Sequence, residues 1–335
     1  MKRALAANLL SRSGLLSLLG LAMRWSGVLC LNYHRIGDGS LSLFDRAVWS
    51  ADAAGFDAHV QFLKTHFDVV TPHDLPDLLR RRRGRSVLIT FDDGYVDQYD
   101  TAFPILKRHG VSATFFVPVG FLDHHRVSWW DEIAWMVRTS RKAGVDAGPW
   151  IPTPVVYDEP DRESAVESLL RVYKAMPTDS TGAYLDFLAE ATGSGRFSGG
   201  QDVGPWMTWD MLREMRTAGM VAGAHTVNHP ILAQLSPERQ WEEISKCGLR
   251  FTEELGEPMQ YFSYPDGGRS ARNDDTRACL RRVGVRYAFS YYGGFRRFDE
   301  WDDLDVRRIG IEHFMNPDWV RAVVTQPGLF GRARR

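Results

Sequence analysis

The chain has 335 residues, 44% hydrophobic and 12% aromatic, which is enough for one large domain or two modest ones with a sizeable core. Its 41 basic and 42 acidic residues leave a formal charge of −1, which argues against a nucleic-acid partner held on a basic face. Three cysteines, Cys30, Cys247 and Cys279, are too few and too scattered for a disulfide framework or a thiolate zinc site.

At the N-terminus, Met1-Lys2-Arg3 and the leucine-rich runs after it have some features of a signal peptide. Arg12 splits the apolar run, Arg24 closes it, and no small-x-small cleavage site follows. The uncharged run Ser13 to Met23 is too short to span a bilayer. Residues 1–26 therefore read as an amphipathic segment of a cytoplasmic protein, lying on the protein itself or peripherally on the inner membrane.

From Gly27 onward strands and helices alternate. An apolar strand, Gly27–Tyr33, ends in Tyr33-His34-Arg35. A helical stretch near Phe56–Thr65 places Phe56, Val60 and Leu63 on one face. A short helix near Asp74–Arg80 leads into the strand Ser86–Phe91; Tyr95–Arg108 reads as a helix kinked near Pro104, and Ser112–Val117 as a strand. An insertion of helical character follows, from about residue 120 to 205. Its Trp129–Val137 stripe is more often packing surface than sugar platform, and Gly144–Pro160 reads as an extended excursion. Met220–Ala224 is the next strand. Ser236-Pro237 then opens a helix that runs to Leu255 and is closed by Gly256. Strands at Gln260–Tyr264, Arg286–Ser290 and Val306–Ile311 complete the series, with a helix at Asp274–Val283 between the first two. Repeated β-α units of this size imply a parallel sheet with its site at the carboxyl ends of the strands.

Two constellations carry chemistry. Thr90-Phe91-Asp92-Asp93-Gly94 sets adjacent carboxylates at a strand tip, where a turn lets both reach one cleft. Two carboxylates that close repel unless a cation lies between them or one holds a proton. One metal-ligand carboxylate beside one general-base carboxylate resolves the conflict. His225-Thr226-Val227-Asn228-His229-Pro230 follows another apolar run, and Pro230 makes a tight turn the better conformation for its two imidazoles. With Asp93 they make two nitrogens and one oxygen, and they leave positions open for water and substrate, as catalytic zinc sites do.

These two blocks resemble, nearly letter for letter, the first two motifs of the polysaccharide deacetylases of carbohydrate esterase family four, which share the NodB homology domain. The resemblance implies an α/β fold, a distorted (β/α) barrel carrying the helical insertion and extending over about residues 27–325. It implies a divalent ion, usually Zn2+, held by Asp93, His225 and His229, with Asp92 as general base. The reaction would remove N-acetyl groups from an N-acetylated amino-sugar polysaccharide or glycan precursor, polymeric or lipid-linked.

The third family motif departs. Where Arg-x-Pro-Tyr-Gly is usual, this chain has Ser263-Tyr264-Pro265-Asp266-Gly267. Tyr264 and Asp266 fall to the substrate and oxyanion side of the site, with the Asp266 backbone N–H as oxyanion donor. The missing arginine leaves Asp92 without its usual partner, a place that Arg308 could take from a late strand or leave empty as an exposed flanking residue. For the general acid the resemblance offers His34, in the opening Tyr-His motif, ahead of His313. Two alternatives stay open: a catalytically inactive carbohydrate-binding relative, suggested by the missing arginine, and a metal hydrolase of another small amide or ester.

Overall fold

The computed structural model describes residues 25–158, 162–199 and 206–331, so the N-terminal segment, apart from Trp25 and Ser26, lies outside the described residues. Seven parallel strands form a closed ring in which each pairs with the next: β1 (Gly27–Tyr33), β2 (Arg85–Phe91), β3 (Thr114–Val117), β4 (Val221–Ala224), β5 (Tyr261–Ser263), β6 (Tyr287–Ser290) and β7 (Val306–Gly310). Closure comes from β1, which pairs with β2 along its whole length and with β7 on its other edge, Cys30 opposite Arg308. A short strand, Asp68–Val70, adds to the start of β2 outside the ring.

Strand parity sorts the core into two layers. Leu29, Leu31 and Tyr33 of β1 join Val87, Ile89 and Phe91 of β2 in the cluster facing the surrounding helices. Val28, Cys30, Leu88, Phe116, Tyr261, Phe289 and Val306 form the second cluster, which fills the barrel. Because side chains alternate with period two, the inward set continues to Asn32 on β1, Thr90 and then Asp92 on β2, and Arg308 on β7. The barrel is thus packed with hydrocarbon below and lined with polar groups at its carboxyl end.

The expected strands appear with ends shifted by at most two residues, and the helix Pro237–Leu255 keeps its bounds, with the Ser236 side chain capping Arg239 N–H. Two local expectations are corrected. The kinked helix at Tyr95–Arg108 is a π-helical turn, Gln98–Ala102, followed by an α-helix, Phe103–His109. Pro104 lacks an N–H and fits only the first turn of a new helix, so the wider turn absorbs the mismatch. The excursion from Gly144 is not wholly extended: Gly144–Val145 pairs antiparallel with Val155–Val156.

The insertion has its own core. Helices Trp129–Thr139, Glu163–Ala175 and Thr181–Thr192 bury Ile133, Val137, Val166, Leu169, Tyr184 and Leu188 against one another. Among the described residues no helix is long and apolar enough to cross a membrane.

Candidate metal and catalytic site

Asp92 and Asp93 leave the end of β2, His225 leaves β4, and the Ser263–Gly268 loop leaves β5, all at one rim of the barrel. Among the described residues, four of the six non-glycine residues with positive φ belong to these loops: Asp93 (77°), Thr226 (68°), His229 (57°) and Asp266 (60°). For β-branched Thr226 that conformation is costly, and it persists because the surroundings fix it. Glu243, on the helix Pro237–Leu255, is one such constraint. Its carboxylate accepts the backbone N–H groups of Val227 and Asn228 at 2.9 and 3.0 Å and the Asn228 side chain at 2.6 Å.

The turn brings three donors together. His229 Nε2 lies 3.1 Å from His225 Nε2, and Asp93 Oδ1 lies 3.3 and 3.5 Å from His229 and His225. His225 Nδ1 donates to the Ser263 carbonyl at 2.7 Å, which fixes its tautomer and turns the Nε2 lone pair toward the cluster. Burial holds His229 below the ordinary histidine range, so its ring is neutral near pH 7 and free to ligate. Burial alone would raise Asp93, but the two imidazoles beside it hold it ionised, well below the carboxylate range. A tetrahedral zinc with bonds of about 2.0–2.1 Å sets its donors about 3.3–3.4 Å apart. The three spacings straddle that value, and two imidazoles with one carboxylate suit such an ion.

Asp92 is built differently. Arg308, fully buried, donates from Nη1 to Oδ1 and from Nη2 to Oδ2, each at 2.7 Å. Asn32 Nδ2 (3.1 Å) and the Ser263 hydroxyl (3.2 Å) also donate to Oδ2. The guanidinium is itself held by Asn32 Oδ1 at 2.6 Å, Ser263 Oγ at 2.8 Å and the Ser290 carbonyl at 3.2 Å, and it lies over the Phe116 ring. Arg308 is therefore no exposed flanking residue. The small Ser263 side chain leaves the room that Arg308 enters from β7. Burial pushes Asp92 up, but the Arg308 charge and then His225 more than offset it, and the carboxylate stays below its usual range.

The remaining residues divide. His34 is half-buried, edge-on to Tyr291 at 5.5 Å, and lines one cavity of about 370 Å³ with Asp92, Asp93, His225 and His229. His313 is exposed, stacked edge-on against Phe314, and does not line that cavity. Tyr264 also lines that cavity, and its hydroxyl donates to the Leu304 carbonyl at 2.8 Å. Asp266 stands at the rim with its side chain paired to Lys174 of the insertion at 2.7 Å. Next to it Gly267 (φ 64°) passes so close to Tyr291 that an added Cβ would meet Tyr291 Cβ at 2.4 Å, which keeps the loop against β6. From the Trp129 stripe, Trp129 and Trp130 both line the cavity, and Trp130, largely buried, holds its ring 4.6 Å from His229.

Sequence reasoning missed Asn32, Glu243 and Lys174. Asn32 had a signal, a lone amide at the inward parity of an apolar strand. The other two sit on polar helix faces, where nothing local marks them.

Comparison with known proteins follows the same lines. The family model described as polysaccharide deacetylase matches residues 80–148 and 161–288. YxkH of Bacillus subtilis (strain 168), named for the same family, is 41% identical over 91 residues, 26% of this chain and 30% of its own length. Among solved structures, the Streptococcus pyogenes deacetylase PplD, in complex with acetate, is similar with a TM-score of 0.57 at 20% identity, covering 87% of this chain and 95% of its own. IcaB from Ammonifex degensii gives 0.54 at 21% identity, covering 89% and 96%. BC0361, a polysaccharide deacetylase from Bacillus cereus, gives 0.57 at 15%, covering 89% and 68%. At these identities the structures establish the barrel.

Proposed function

The chain belongs to the polysaccharide deacetylase family, and on that premise we propose that it hydrolyses N-acetyl groups on the amino sugars of a glycan with the help of a divalent ion, zinc foremost. One observation carries the reading: a carboxylate gripped by a buried guanidinium, Asp92 with Arg308, stands beside another that closes a donor triangle with two imidazoles.

Asp92 Oδ2 takes three donors and Oδ1 takes one from Arg308, so Oδ1 keeps the lone pair that can accept a proton from the attacking water. Held below the carboxylate range, Asp92 is too weak a base for ordinary water, of pKa about 15.7; an ion on Asp93, His225 and His229 would supply the missing acidity and polarise the acetamide carbonyl. The Asp266 backbone N–H, on a loop fixed by the Lys174 pair and the Gly267–Tyr291 approach, donates to the carbonyl oxygen as negative charge develops there. His34 hands a proton to the departing nitrogen, since an amide leaves only as the amine.

The inactive, sugar-binding alternative drew on the missing third-motif arginine, and Arg308 removes that ground. Acetate release from N-acetylglucosamine oligomers, with and without chelator, tests the proposal. Loss of release on chelation and recovery on adding Zn2+ is the expected result. Release that ignores the chelator, or that is never seen with ion bound, contradicts it.

A further inference from the structure

Charge is shared unevenly along the chain. Residues 1–26 hold four cations, Lys2, Arg3, Arg12 and Arg24, and no carboxylate, so the remaining 37 basic and 42 acidic residues leave the rest at −5. Within that acidic remainder one stretch stands apart: five of the six residues Arg80–Arg85 are arginines.

The arginine run ends the helix Leu75–Arg81 and enters β2 at its amino end. Arg80, Arg81, Arg82 and Arg83 are exposed, and Arg85 is half-buried over the Phe67 ring at 5.1 Å. Carboxylates offset part of the charge. Asp77 meets Arg80 and, at 3.9 Å, Arg81; Asp68 lies beside Gly84; Asp299, near Arg82, is paired with Arg297 at 3.2 Å. Arg82 donates to the Phe298 carbonyl at 3.0 Å, and among the described residues Arg83 has no carboxylate partner. The amino-terminal residues join the barrel at this same place. Gly27 N–H donates to the Gly84 carbonyl at 3.1 Å, and Trp25 stacks at 5.9 Å on Phe67, the ring that carries Arg85. Residues 1–24, with eight leucines among them, therefore connect to the barrel beside the arginine run.

Leucines next to a cluster of arginines suit an anionic lipid surface. The apolar side chains bury at the acyl boundary, and each arginine close to the headgroups contributes about 1 kcal/mol. A nucleic acid would meet the arginines but leave the leucines nothing to bury in. The net charge of −5 on the rest of the chain is repelled by the same surface, which turns only the basic end toward it. β2 starts at Arg85 on this face and ends at Phe91 beneath Asp92, about 20 Å along the strand.

We propose that the amino end of the barrel docks on an anionic membrane through Arg80–Arg85 and residues 1–24, with the catalytic rim turned away from the bilayer. The proposal goes beyond the deacetylase reading and does not depend on it. It chooses the membrane over the protein itself as the surface on which the amino-terminal residues rest.

The test is sedimentation of the full chain with phosphatidylcholine vesicles, either pure or holding about 30% phosphatidylglycerol. Partitioning is at least about tenfold stronger on the anionic vesicles and weakens as salt is added. Arg81→Gln/Arg83→Gln lowers it about thirtyfold, from two arginines at about 1 kcal/mol each, whereas Arg81→Lys/Arg83→Lys binds like the natural chain. Arg80→Gln/Arg83→Gln replaces the first variant if circular dichroism shows that it fails to fold. Zinc content and acetate release from soluble oligomers stay within about twofold, because these arginines lie at the other end of the strands. Equal binding to both vesicles, glutamine variants that bind like the natural chain, or preference for duplex DNA over the anionic vesicles overturns this inference. None of those outcomes bears on the deacetylase reading, which fails separately if no acetate is released.

Discussion

Replacing Arg308 with methionine removes the cation that meets both oxygens of Asp92, in a place where Arg308 is 0% and Asp92 only 3% exposed. Breaking a buried pair from one side leaves an uncompensated charge and costs about 3–5 kcal/mol. The double variant Asp92→Asn/Arg308→Met removes both charges and regains most of that loss. The sign with pH follows from the pair. In the natural chain Asp92 lies below its unfolded value, so its contribution is present above the usual carboxylate range and is lost as the pH falls through its lowered value. Without Arg308 burial dominates and Asp92 rises, so the stability difference between the two chains is largest near neutrality and shrinks on acidification. Urea denaturation of metal-free protein between pH 4 and 8, run on both single variants and the double, reads these quantities. Deacetylase kcat/KM of Arg308→Met drops about 10²-fold or more as the base is lost, and its acid limb moves to higher pH. A stability change under about 1 kcal/mol, or one independent of pH, refutes the reasoning.

Glu243→Gln keeps the shape but weakens the hold on the strained turn between His225 and His229, so zinc affinity, read by competition with a chromophoric chelator, falls about 10- to 100-fold; an unchanged Kd means the turn holds itself. His34→Gln lowers kcat about 10²- to 10⁴-fold with zinc content unchanged, while His313→Gln stays within about twofold; the reverse order returns the acid role to His313.

Much of the barrel and of the site was legible because each left a local mark. Short continuous apolar runs gave the strands. Asp92-Asp93 and His225-x3-His229 sit directly after two of those runs, where the chain turns over the rim. Helix Pro237–Leu255 announced both ends through Ser236-Pro237 and Gly256. What could not be read depends on pairing across the ring. Cys30 opposite Arg308 is a register fact, and only the register brings the guanidinium over Thr90 and Asp92. Extending inward parity from Val306 to Arg308 would have ranked Arg308 above an exposed alternative. Closure into seven strands and the short Asp68–Val70 addition had no local mark. Glu243 and Lys174 act through single long side chains reaching 15 or more residues away in sequence, which no spacing rule encodes.

The central claim is that Asp93, His225 and His229 hold one divalent ion and that Asp92 works beside it without being needed to bind it. Metal content by plasma mass spectrometry, on the natural chain, Asp92→Asn and His225→Ala purified alike and equilibrated with Zn2+, addresses this most directly. The account predicts one ion per chain in the first two proteins and essentially none in the third. A natural chain without stoichiometric ion, or a His225→Ala variant that keeps it, contradicts the account.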